Sequence, residues 1–82
     1  MEKQSAGQRI RALRRSKKLT QVQLAKVAGV SSPAVTEWEK DSYLPKAASL
    51  EAMANEFGVT TEYILTGKGG EFKSERDRKS VV

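Results

Sequence analysis

Cysteine and histidine are both absent from this 82-residue chain. Without cysteine there are no disulfide staples and no thiolate metal sites, which fits a reducing cytoplasm. Without histidine the commonest general base and the commonest zinc ligand are missing. No apolar run approaches the roughly 18 residues of a membrane span, and the first residues lack the apolar stretch of a secretory leader. Alternating strand patterns, internal repeats and glycine-rich phosphate loops are also wanting. A chain this short supports one domain with a small core that needs nearly every apolar side chain for packing. Buried polar clusters of the catalytic kind are not expected in it, and neither a metal nor a cofactor is implied.

Positive charge is what the chain has in excess. The formal net charge is +5 and the pI is near 9.8. Residues 1–18 carry Lys3, Arg9, Arg11, Arg14, Arg15, Lys17 and Lys18 against Glu2 alone. Residues 19–67 lean the other way, with six carboxylates against Lys26, Lys40 and Lys46. A basic flank on a near-neutral body suits a polyanionic partner, although such a run also serves as a plain solvated face.

The apolar spacing predicts five helices. Ser5 with Gln8 has the spacing of a capping box, and Ala6, Ile10 and Leu13 follow as an inward stripe. The arginines and lysines of this helix fall mostly on its other faces. Thr20 with Gln23 repeats the box and opens a second helix that stops at Gly29. Ser31 is placed to cap a third, with Pro33 in its first turn, where a missing N–H costs little. After a loop over 41–45, a fourth helix runs over about 46–57 and stops at Gly58. Thr60 caps a short fifth through Leu65, ended by Gly67. Residues 1–67 thus read as the domain. Residues 68–82, of mixed charge and rich in glycine, read as a flexible tail or linker.

Residues 20–40 are the most informative segment. Val22, Leu24, Ala25, Val27, Ala28, Val30, Val35 and Trp38 are spaced to press the second and third helices together, leaving the far face of the third free. A helix held out from a small basic domain in this way suits a DNA major groove. The stretch over 7–67 resembles the lambda-repressor-like, or XRE-type, helix-turn-helix domains of lambdoid phage repressors. The resemblance rests on Gln21, Ala25, Gly29, Val30, Val35, Trp38 and Pro45, and on Val-Thr-Thr-Glu-Tyr-Ile-Leu-Thr-Gly at 59–67. It implies an all-α, five-helix domain whose second and third helices form the helix-turn-helix. It also implies homodimeric binding to a palindromic double-stranded operator and a role as a transcriptional repressor. Longer relatives often add a self-cleaving dimerisation domain, so the chain reads as an N-terminal domain or a short Cro-like regulator.

If Val35 and Trp38 point inward, Ser32, Pro33, Thr36 and Glu37 point outward, and the resemblance puts the base readers at those four positions. Ser32 and Thr36 can donate or accept, Pro33 offers apolar surface to thymine methyls, and Glu37 can accept from cytosine N4. The alternatives are that Pro33 merely starts the helix and that Glu37 merely pairs with Lys40. Phosphate contacts are expected from Gln21 at a helix N-terminus, where the dipole favours an anion. Arg11, Ser31, Lys40 and Lys46 are expected on the rims. By resemblance Gln21 also braces residue 32, its plain alternative being a capping-turn residue. The resemblance further pairs Arg14 with Glu39, as a structural ion pair that does not exclude a phosphate contact. Trp38 is expected in the core rather than against bases. Phe57 and Tyr63 read as core or dimer contacts, with Tyr63, Ile64 and Leu65 as a partner surface.

Two rivals are weaker. Glu37 and Glu39, two apart on a helix, lie on different faces and make no acid–base pair, so an enzyme is not expected. An antitoxin-type module would need a toxin-binding tail, and Phe72, Val81 and Val82 are a thin anchor for one.

Overall fold

A computed structural model describes residues 4–68. Five helices follow in order: α1 (Ala6–Ser16), α2 (Gln21–Ala28), α3 (Ser32–Glu39), α4 (Ala47–Phe57) and α5 (Thr61–Thr66). No strand occurs among the described residues, and none of their helices is long and apolar enough to cross a membrane. Residues 69–82, with Phe72, Val81 and Val82, lie outside the described part.

Local chemistry sets the helix ends. The Ser5 hydroxyl accepts the Gln8 N–H at 3.1 Å while the Gln8 side chain accepts the Ser5 N–H at 2.8 Å. Thr20 and Gln23 form the same reciprocal pair at 3.0 and 2.8 Å. Each box satisfies two donors that a helix start would otherwise leave open. Gly29 ends α2 at φ +76°. That left-handed turn lets the Val30 N–H reach the Ala25 carbonyl at 2.9 Å and brings Val30 onto the core.

Ser31 differs from expectation. It is the N-cap residue of α3, but its side chain makes no capping hydrogen bond. The donors a cap would take are not on offer: Pro33 has no N–H, and the Ala34 N–H is already given to the Ser31 carbonyl at 3.0 Å. The hydroxyl is left exposed.

The core gathers Ile10, Leu24, Val35, Trp38, Met53, Phe57, Val59 and Ile64 between the helices. Helix α3 packs against α1 and α2, while α4 and α5 close the opposite side through α2 and α1. Val22, grouped by its spacing with the packed residues, is instead 54% exposed. At 100° per residue it sits about 110° around α2 from the mean direction of Leu24, Ala25 and Ala28. Ile64 is fully buried, so of the expected partner surface only Tyr63 and Leu65 reach solvent. Phe57 is core.

Among the described residues, three polar links join segments that the chain separates, and in two of them, from Arg9 and Ser49, the side chain is buried. Arg9, far from lying on an outer face, is buried, giving Nε to the Ile64 carbonyl at 2.9 Å and Nη2 to the Leu65 carbonyl at 3.0 Å. A guanidinium there satisfies carbonyls that the end of α5 leaves open and faces the negative end of its dipole. Ser49 donates to the Ala28 carbonyl at 3.0 Å, tying α4 to the end of α2. Asp41, itself at φ +64°, accepts the Gly7 N–H at 2.9 Å and the Ser5 hydroxyl at 2.6 Å. Its carboxylate therefore sits at the positive end of α1.

At Gly7 the backbone of α1 comes up against the end of α3. A Cβ there would lie 2.3 Å from the Trp38 carbonyl oxygen and 2.7 Å from an Asp41 carboxylate oxygen. Helix propensity alone favours alanine over glycine by about 1 kcal/mol. The backbone clash opposes and outweighs that gain. Gly7→Ala is therefore expected to destabilise the domain, by about 1–3 kcal/mol in a urea titration. A midpoint equal to or above that of the wild type would contradict this contact.

Candidate nucleic-acid interface

Helix α3 is anchored by its inner face. Val35 is fully buried and Trp38 is 3% exposed, so the indole belongs to the core. Ser32, Pro33, Thr36 and Glu37 stand on the other side: Pro33 is exposed and the rest are half-buried. The one aromatic group on α3 is thus withdrawn from any ligand, and the exposed strip is made of two hydroxyls, a proline ring and a carboxylate.

What holds that strip in place is a chain of polar contacts across three helices. Arg14 of α1 gives Nε to Glu39 Oε2 at 2.7 Å and Nη2 to Glu39 Oε1 at 3.2 Å. Its remaining nitrogen, Nη1, binds the Leu19 carbonyl at 2.9 Å. The two side chains are only 14% and 6% exposed. Such a forked, charge-assisted pair adds geometric restraint to its Coulomb term. Glu39 Oε1 also accepts from Gln21 Nε2 of α2 at 3.0 Å. The other end of the same amide, Gln21 Oε1, accepts the Thr36 hydroxyl at 2.9 Å. Gln21 therefore braces Thr36 rather than residue 32, because its side chain, rising from the first turn of α2, meets the middle of α3. All three guanidinium nitrogens of Arg14 point inward at protein oxygens.

The remaining charged groups lie around this strip. Lys40, at the end of α3, is 3.9 Å from Glu37 Oε2, with both side chains substantially exposed. A pair that long and that wet contributes little, so both groups are available to a partner. Arg11 is exposed on α1, and Lys46 is the exposed N-cap residue of α4. Arg15, Lys17 and Lys18 are exposed as well, Lys18 in a left-handed turn at φ +59°.

The helix-turn-helix family model matches residues 10–64, which include the strip on α3 and its supports Arg14, Gln21 and Glu39. The chain belongs to that family. It is 43% identical over 61 residues to the immunity repressor protein of Bacillus phage phi105, covering 74% of this chain and 42% of that protein. It is 36% identical over 67 residues to repressor protein C2 of Salmonella phage P22, covering 82% of this chain and 31% of that one. The chain thus spans less than half the length of either repressor. The crystal structure of the P22 c2 repressor with a synthetic operator superposes with a TM-score of 0.76 at 35% identity. That match covers 80% of this chain and all of that one, and makes the fold that of the lambda-repressor-like domains.

Gln21, Thr36, Glu39 and Arg14 come together, as do Glu37 and Lys40. Arg9 and Asp41 escaped the sequence reading of the scaffold. For Arg9 a signal was there: it stands three after Ala6 and one before Ile10, inside the apolar stripe of α1, where a solvated arginine does not belong. Removing the acceptor at the centre of the network leaves the Arg14 charge without its partner in a largely buried place. Glu39→Ala is expected to cost about 3 kcal/mol, a drop in Tm of roughly 12–24 °C for a domain of this size. Melting at the wild-type temperature would mean that the bridge carries nothing.

Proposed function

We propose that the chain is a sequence-specific, double-stranded DNA-binding transcription regulator of the phage-repressor kind. It binds a palindromic operator as a homodimer, with α3 of each copy in the major groove. The observation that carries this reading is the polar strip of α3, held clear of the core by Val35 and Trp38 and fixed from behind by Gln21, Glu39 and Arg14. The operator complex of the P22 c2 repressor supports it, since that protein shares the fold over 80% of this chain. Such a regulator works in the cytoplasm, needs no cofactor and catalyses nothing. The neighbouring carboxylates could not act as an acid–base pair, because Glu39 is consumed by its bridge.

In this reading Ser32, Pro33, Thr36 and Glu37 face base edges, with Pro33 against thymine methyls and Glu37 against cytosine N4. Arg11, Ser31, Lys40 and Lys46 take backbone phosphates. Gln21, with its amide turned to Glu39 and Thr36, offers a phosphate the N–H at the start of α2. Arg14 supports the reading strip from within, and its ion pair leaves two guanidinium N–H groups for a phosphate. Occupying two half-sites about one helical turn apart excludes polymerase or recruits a neighbour, according to promoter geometry. Residues 1–67 serve as the binding domain, and residues 68–82 as a tail or linker.

Footprinting the chain on DNA upstream of its own coding sequence should reveal a symmetric protected site, and uniform protection of any DNA would refute sequence specificity. Log K should fall steeply and linearly with log salt. Lys40→Ala is expected to lower that slope by about one and to weaken all sequences alike. An unchanged slope would remove Lys40 from the phosphate set. In selection from a random pool, Glu37→Gln should relax the cytosine preference beside it, whereas an unaltered preference at every position would leave Glu37 as a mere partner of Lys40.

A further inference from the structure

The Thr36 hydroxyl has two acceptors within reach, and both belong to the protein. Its Oγ1 lies 2.9 Å from Gln21 Oε1 and 3.3 Å from the Ser32 carbonyl oxygen. The identity of the Gln21 atom is forced by its other end. Glu39, a carboxylate forked onto Arg14, has no proton to give. The Gln21 atom 3.0 Å from Glu39 Oε1 must therefore be the amide nitrogen, and the atom beside Thr36 must be the amide oxygen. An amide oxygen and a backbone carbonyl only accept. The single hydroxyl proton is thus held inward whichever of the two takes it, and the half-buried oxygen has only lone pairs to turn outward.

We infer that Thr36 is a specificity-determining residue that acts on the duplex as an acceptor alone, recognising the exocyclic amino group of a base: cytosine N4 or adenine N6. The inference rests on the DNA-binding reading above and sharpens it. A free threonine hydroxyl accommodates donor and acceptor edges by rotating, and so discriminates weakly. Here the rotation is spent inside the protein. Guanine O6 and N7, thymine O4 and adenine N7 would each meet a lone pair with a lone pair. The ion pair between α1 and α3 thereby reaches beyond stability. It fixes which end of the Gln21 amide faces Thr36, and through it which hydrogen-bonding sense the reading face presents.

The test uses the whole chain and three proteins: wild type, Thr36→Val and Thr36→Ser. Valine keeps the shape and removes the proton and lone pairs together. Serine keeps the hydroxyl and guards against a loss caused by misfolding. Selection from a random pool locates the base pair whose preference is lost in Thr36→Val and kept in Thr36→Ser. At that pair, the natural duplex is compared by titration with one lacking the exocyclic amino group (purine for adenine, or 2-pyrimidinone for cytosine) and one with 7-deazapurine. Removing the amino group should weaken wild type and Thr36→Ser by roughly 3- to 10-fold and leave Thr36→Val unchanged. The 7-deaza duplex should affect all three proteins alike or none. A 7-deaza loss confined to proteins with the hydroxyl would show that Thr36 donates and would overturn the inference. So would a selected site in which no position depends on Thr36. A wild-type chain that selects no sequence at all would bring down the regulator reading as well, which is a distinguishable result.

Discussion

The fork between Arg14 and Glu39 is the constraint on which the outward face of α3 depends. It joins the far end of α1 to the last turn of α3 across a boundary from which water is largely excluded. Each side chain alone would be a poorly solvated charge, so the two stabilise the fold together or damage it separately. Glu39 then turns the Gln21 amide so that its oxygen lies within hydrogen-bond reach of the Thr36 hydroxyl. A contact made for packing three helices in one register thus sets the hydrogen-bonding character of the surface those helices display.

The rest of the scaffold supports the same end from the other side. Asp41 holds the start of α1 against the loop after α3, and Gly7 lets the two backbones approach to a distance that no side chain would permit. Arg9 fastens α5 to α1, and Ser49 fastens α4 to α2. In a domain with so few apolar residues, these polar links restrain helices that a small core alone would leave free to slide. The buried ones, Arg9 and Ser49, have their donors paired with carbonyls, so their burial costs little.

Much of this was legible in the chain. The capping boxes at Ser5 and Thr20 and the glycine stop at Gly29 are short-range chemistry, decided by residues three or four apart, and they appear as read. The inward placement of Val35 and Trp38 follows from helical spacing, and with it the outward placement of Ser32, Pro33, Thr36 and Glu37. Where spacing misled, a local detail prevailed. Val22 is apolar but off the packed stripe, and Ser31 cannot cap because proline removes one donor and the backbone takes the other. Ile64 lies too deep for the partner surface proposed for it.

Five helices, their order and the side of α3 that turns outward could be read from the chain alone, because those depend on periodicity and on neighbours within a turn. The roles of Arg9, Asp41, Gly7 and Gln21 emerge from packing. Each acts on a partner between 15 and 56 positions away, or, for Gly7, on a backbone that packing alone brings near. The direction of the Thr36 proton belongs to the same class. It is set by a carboxylate that touches Thr36 only through another side chain, and no pattern within a single helix encodes that.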